Sequence, residues 1–349
     1  MRMADQLDYP LADAPGPGQS VEIAPGVLWL RMPMPFALTH INLWALRDGD
    51  GCWSVVDTGL HTVETTAAWR MLLSAQGPLH GARITRVLAT HMHPDHVGMA
   101  GWLGRRFDCA LWMTQLEYLN CRMLISDTGR EAPADGVRFY QRAGWSEADQ
   151  DNYRARFGGF GKMIHPLPDS FVRLSDGQSI RIGEQDWKVV VGRGHSPEHA
   201  CLYCAQLGLF ISGDQVLPRI SSNVSVYPTE PGADPLADWL STLDQIRLRV
   251  PDDVLVLPAH NEPFRGLHLR LSQLERGVLQ GLDRLREQLR QPRRAIDVFG
   301  ALFRRPIDDH QLFSLATGEA LAHINYLLRR NEAVLHGLEN GVAWYRLSH

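Results

Sequence analysis

The amino-acid sequence predicts a layered α/β (α+β) fold with a helical insertion and a mostly helical C-terminal region. Three observations predict it. Strand-like and helix-like segments alternate between residues 27 and 113. Buried-strand patterns resume between residues 171 and 257 after a helix-rich interval. And four separate strand ends each present a residue able to ligate a metal, which is where binding residues collect when loops leave a rigid sheet. The 349 residues are ample to bury a core. A formal charge of −4 supplies no global attraction to nucleic acid or to a membrane surface. No apolar run approaches the roughly twenty residues needed to cross a bilayer.

Residues 1–20 are polar and rich in Pro and Gly, and read as a loosely held arm without the apolar centre of a secretory signal. A catalytic domain over 21–264 follows. Its first strands are Val27–Met32 and Ile41–Leu46, the second joined by a hairpin turn to Cys52–Val56. Helical spacing over 63–76 precedes a β-branched run, Ile84–Ala89, that reads as a buried strand. A helix over 97–107 and a short strand, Ala110–Met113, complete this half. Residues 114–165 form the helical insertion, with helices near 116–126, 134–143 and 145–157. Phe139, Tyr140, Trp145, Phe157, Phe160 and His165 make it the candidate substrate pocket, if it lies over the site; packing away from the site is the other option that the sequence leaves open. Strands return at 171–174, 178–182, 187–191, 200–205 and 209–212, then a helix over 234–248 and a strand over 254–257. From residue 265 to 349 the pattern becomes helical, with segments at 267–290, 295–303, 310–313 and 317–330 and a small terminal strand at 342–346. No internal repeat is present.

Cysteines at 52, 109, 121, 201 and 204 are odd in number and do not read as a disulfide framework, which fits a reducing cytoplasm. Cys201 and Cys204 form a CxxC inside a strand-like run. Positions three apart on a strand face opposite sides, so they read as two packed thiols rather than a redox or metal pair.

The chemistry is concentrated in Thr90-His91-Met92-His93-Pro94-Asp95-His96, directly after the 84–89 strand. Pro94 forces a turn after His93, so Asp95 and His96 can face a second point. Imidazole and carboxylate suit zinc, iron or manganese. Later strand ends add His195 in Gly194-His195-Ser196-Pro197-Glu198-His199, Asp214 in Ser212-Gly213-Asp214, and His260 in Pro258-Ala259-His260. Together with Val56-Asp57-Thr58-Gly59, these five ordered motifs closely resemble those of the metallo-β-lactamase-fold hydrolases over roughly residues 25–265.

The resemblance implies an αββα sandwich with two metals at one edge. It implies that His91, His93 and His195 bind the first divalent cation and Asp95, His96 and His260 the second, with Asp214 bridging. Both ions are expected to be zinc, with iron and manganese as alternatives. Asp57 would orient the site without ligating, and His199 would pack behind the ligands. Water held between two such cations loses its proton near neutral pH and becomes the nucleophile, with Asp95 and Asp214 as candidate catalytic proton relays.

The C-terminal region resembles the winged-helix-like appendage of lactamase-like proteins near glyoxalase II and their nuclease relatives. A metal-dependent hydrolase of thioesters or other small esters is therefore the expected function. The alternatives are a nucleic-acid or phosphodiester hydrolase, a lactonase, and a mononuclear-iron sulfur dioxygenase. The ten arginines between Arg265 and Arg305 motivate the nucleic-acid reading, against a solvated helix face. The partners expected are a small-molecule substrate, no membrane and, left open, a second copy of the chain.

Overall fold

The structure is a computed structural model that describes residues 6–348 except 12, 305, 306 and 308. One sheet is formed, in spatial order, by β1 (Ser20–Ala24), β2 (Val27–Pro33), β3 (His40–Gly49), β4 (Cys52–Val56), β5 (Arg83–Leu88), β6 (Ala110–Met113) and β7 (Val172–Arg173). The second contains β8 (Ser179–Ile182), β9 (Gln185–Gly192), β10 (His199–Cys204), β11 (Leu209–Gly213) and β12 (Leu255–Pro258), again in sequential order. Helices α1 (Val63–Leu72), α2 (Pro94–Val97), α3 (Ala100–Phe107), α4 (Gln115–Ser126), α5 (Ala134–Ala143), α6 (Glu147–Arg156) and α7 (Pro235–Arg249) punctuate the strands. The C-terminal region holds α8 (Leu267–Gln288), α9 (Phe299–Leu302), α10 (His310–Arg329) and a hairpin of β13 (Ala333–Glu339) with β14 (Val342–Leu347).

Strand alternation explains the layering. Trp29, Trp44, Leu46, Val189, Leu202 and Ile211 point between the sheets. Their neighbours Leu28, Leu30, Leu43 and Ala45 face outward onto Trp69 of α1 and Leu103 of α3. On the other side Val190, Cys201 and Phe210 face Trp239 and Leu243 of α7 and Leu271 of α8. Both faces of each central strand are covered, so these strands read as continuous apolar runs rather than alternating ones. The αββα order expected from the resemblance is present.

At one edge the two sheets are laced together. Ala200 N donates to Thr90 O at 2.7 Å and Asn42 N to Ala259 O at 2.7 Å. β4 runs parallel to β5, and β11 parallel to β12. β9 lies antiparallel to β10, which lies antiparallel to β11. The strands that end in Asp57, Thr90, His195, Asp214 and His260 therefore all deliver their C-terminal ends to this edge.

Several sequence expectations change. The described part of the N-terminal arm is held rather than loose: Asp8 bridges Arg265, and Leu7, Tyr9 and Leu11 pack on the two cores. β1 and β13 were not expected. The segments 310–313 and 317–330 are one helix, α10. Residues 97–107 divide into α2, which Pro94 starts at its first helical position, and α3. Cys201 and Cys204 are buried free thiols on β10, in line with the packing expectation. Arg305 and residues 1–5 lie outside the described residues.

Candidate metal centre

Seven side chains converge at the laced edge. One ligand atom from each of His91, His93, His195 and Asp214 can be chosen so that all lie within 4.8 Å of one another, and the same holds for Asp95, His96 and His260. The expected candidate ligands fall into these two groups, with Asp214 in the first. Asp214 stands between them: its Oδ2 is 3.4 Å from His195 Nε2, while its Oδ1 is 3.6 Å from His96 Nε2 and 3.5 Å from His260 Nε2.

Three of the five imidazoles are oriented from behind by a backbone carbonyl or a carboxylate. His195 Nδ1 bonds Asn223 O at 2.8 Å, His260 Nδ1 bonds His40 O at 2.9 Å, and His96 Nδ1 bonds Asp57 Oδ2 at 2.8 Å. The first two partners are carbonyls, so Nδ1 carries the proton and Nε2 is left as a lone pair aimed inward. Asp57 is fixed in turn, because Thr90 N and Oγ1 both donate to it. Its backbone is left-handed, with φ 60°, a conformation that Asp tolerates better than most side chains.

Two of the loops depend on glycine. Gly213 has φ +51°, and a Cβ there would meet the His199 ring at 2.5 Å. Gly194 has φ +103° and lies against Pro235 O and Trp239. The first contact explains His199, whose Nε2 accepts from Asp214 N at 3.0 Å and whose ring stacks on His91 at 4.8 Å. It steadies Asp214 and belongs to neither ligand set.

The electrostatics call for a cation. Burial, then the neighbouring imidazoles, hold His91 well below the ordinary histidine range. Burial lowers His96 as well, but Asp57, Asp95 and Asp214 outweigh it and hold this imidazole well above that range. A buried carboxylate left without a counter-charge costs several kcal/mol, so three in one pocket require compensation. Among the described residues, His96 Nε2 and Asp214 Oδ1 are buried without a hydrogen-bond partner. His91 Nε2 faces His93 Nδ1 at 2.8 Å and His195 Nε2 at 3.3 Å, a crowding of lone pairs that a shared cation relieves. The donor set fits divalent metal.

The candidate pocket residues separate. Tyr140, Phe157 and Phe160 line a cavity of about 280 Å³ between the insertion and α10, with Leu124, Tyr153 and Leu315. Phe139 and Trp145 do not line it. They are buried in the core shared with α10, where Trp145 Nε1 donates to Thr317 Oγ1 at 2.9 Å. His165 sits elsewhere, beside Arg105 and edge-on to His61. The insertion thus divides: Phe139, Tyr140 and Trp145 of its α5 side pack against the C-terminal region, while Tyr118 and Cys121 of α4 pack on the core of the first sheet.

Two groups escaped the sequence reading. Glu117, fully buried on α4, accepts from Met92 N at 2.9 Å and Glu198 N at 2.7 Å, tying the loops of His91 and His195 together. Asn223 supplies the carbonyl behind His195.

Residues 38–260 match the Metallo-beta-lactamase superfamily. The chain belongs to that superfamily. Its members are mostly metal-dependent hydrolases. Residues 282–348 match the Metallo-beta-lactamase-like, C-terminal domain, so the helical region behind the superfamily domain also has a counterpart. A beta-lactamase domain protein from Burkholderia ambifaria is 39% identical, with a TM-score of 0.89 and 98% of each chain covered. A metallo-beta-lactamase family protein from Thermus thermophilus is 25% identical, with a TM-score of 0.76, over 94% of this chain and 100% of that one. The lactamase-like protein ptaB of Pestalotiopsis fici is 24% identical over 81% of this chain and 73% of its own length. Among the described residues, no helix is long and apolar enough to cross a membrane.

Proposed function

We propose that this superfamily member is a dinuclear-metal hydrolase acting on a thioester or other small ester with an apolar or aromatic acyl part. The first cation is held by His91, His93 and His195, the second by Asp95, His96 and His260, and Asp214 is shared. Zinc suits this nitrogen and oxygen set. The observation that carries the reading is the Asp214 carboxylate, which turns one oxygen to each set.

When bound, a pair of divalent cations supplies an acidified water and a Lewis acid for the scissile carbonyl. The protein's own residues do the rest. Asp57 and the carbonyls of Asn223 and His40 fix which nitrogen of each ring faces inward. Asp95, whose Oδ2 is 3.4 Å from His260 Nε2, and Asp214 are the proton acceptors at the centre. The acyl part is assigned to the aromatic cavity beside α10, whose wall includes Leu315, the residue whose carbonyl accepts from Asn223 Nδ2.

A small substrate is favoured over a nucleic acid because the arginine run is largely consumed within the fold. Arg286, Arg290 and Arg294 pair with Glu332, Glu287 and Asp297, while Arg270 and Arg284 donate to backbone carbonyls. The test combines metal analysis with panels of thioesters, lactones, phosphodiesters and β-lactams. Two ions per chain and the highest kcat/KM on a thioester are expected. Fewer than one ion per chain would overturn the dinuclear reading. A lactone or phosphodiester as the best substrate would overturn the ester assignment, and oxygen uptake with a persulfide would replace hydrolysis by dioxygenase chemistry.

A further inference from the structure

Residues 214–234 form a long connection with neither helix nor strand, beginning at Asp214 and ending at the cap of α7. Structureless segments of this length inside a domain are uncommon and usually functional. This one takes its shape from α10. Asn223 Nδ2 donates to Glu319 Oε2 at 2.9 Å and to Leu315 O at 3.5 Å. Ser225 Oγ donates to Asn223 Oδ1 at 2.5 Å and to Leu315 O at 3.3 Å, and Val226 N donates to Gly318 O at 3.0 Å. Further along, Asn325 Nδ2 donates to Pro231 O and Ala233 O, and Arg330 pairs with Asp234. The loop lies so close that a Cβ on Gly318 would meet Ser225 Oγ at 2.7 Å.

Asn223 is the joint between this splint and the metal centre. Its carbonyl accepts from His195 Nδ1, and its side chain is held by Glu319. We propose that Glu319 is a positioning residue for the first metal set: through Asn223 it fixes the carbonyl that orients His195. The C-terminal helix is then part of the centre's framework. This rests on the reading of His195 as a ligand. A half-buried carboxyl is a costly choice for a helix that only needs to pack, where an apolar residue would serve. Burial pushes the Glu319 carboxyl up to about 7, against the lowering effect of the Asn223 bond. Both its neutral and its charged forms can accept from the amide, so the tether does not depend on its protonation.

The experiment uses cobalt(II) as the probe on the full-length chain, metal-free at the start, reading affinity by chelator competition and ligand geometry by the visible spectrum. Glu319→Ala should weaken binding of the first ion roughly tenfold, the low end for groups that support a ligand from behind, and should change the spectrum. Glu319→Gln keeps an acceptor oxygen and should restore both. Asn223→Ala leaves α10 intact and should reproduce the alanine effect, which keeps the proposal testable should Glu319→Ala fold poorly. Wild-type affinity and spectrum in Glu319→Ala or in Asn223→Ala overturn the proposal, whatever the melting temperatures. His195→Ala separates the two readings. If it loses the first ion while Glu319→Ala does not, the positioning role alone falls; if it binds cobalt as the wild type does, both readings fall.

Discussion

The two ligand sets are supported in different ways. Asp95, His96 and His260 rest on the sandwich: His96 is held by Asp57 at the end of β4, and His260 by a carbonyl of β3. His195, in the other set, is held by a carbonyl from an irregular loop, and that loop is shaped by a helix near the end of the chain. One set inherits the rigidity of paired strands. The other shares that support at His91, whose Nδ1 lies 3.1 Å from Thr90 Oγ1, and borrows rigidity from a separate layer only at His195, so the two can be perturbed unequally even though one carboxylate touches both.

The largest expected effect comes from the carboxylate that both sets share. Asp214→Ala removes the carboxylate that faces both sets, and should cost both ions and more than the roughly 100-fold activity loss typical of a residue behind a ligand. Single ligand changes should divide the sets instead. His96→Ala should leave one ion per chain by elemental analysis, and so should His195→Ala, from the other set. His199→Ala should cost less than His195→Ala, since His199 acts through the Asp214 amide. Wild-type rates in His96→Ala or Asp214→Ala would end the dinuclear account.

Asp57→Asn sharpens the comparison. It leaves the shape but removes the charged acceptor behind His96, and should weaken the second ion roughly 10- to 100-fold and the first by less, since Asp57 reaches His91 only through Thr90. Equal weakening of both ions would mean that the sets share their support. The smallest effect belongs to the cavity. Phe157→Ala should lower kcat/KM about tenfold or less for an aromatic thioester, with an acetyl thioester and metal content unchanged. A matching loss on the acetyl substrate would place the acyl site elsewhere.

The ligands were legible because their chemistry is local. Histidine and aspartate at His91, His93, Asp95 and His96 follow a buried strand within six residues, and the ends of β9, β11 and β12 repeat the pattern. The layered fold was legible for the same reason, since apolar runs and turn residues are short-range signals. What supports the ligands was not. Glu117 on α4 and Glu319 on α10 resemble ordinary helix-surface acids until tertiary packing covers them, Glu117 wholly and Glu319 in part. α10 reads as two short helices because Ser314, Thr317 and Gly318 are weak helix formers on their own. Its continuity comes from contacts with the insertion, Tyr140 to Ser314 and Trp145 to Thr317. The pocket was half-legible: aromatic content located the insertion, but which rings face a cavity and which join a core is settled by residues far away in sequence.

The bond from Asn223 to Glu319 spans 96 positions of chain. Chains fold broadly in the order in which they are made, and contacts distant in sequence form late because their loops must close first. During synthesis the strands that carry the ligands are made before α10, and the loop behind His195 gains its Leu315 and Glu319 partners only once α10 has emerged. The centre is therefore completed by a helix that is made after every one of its candidate ligands.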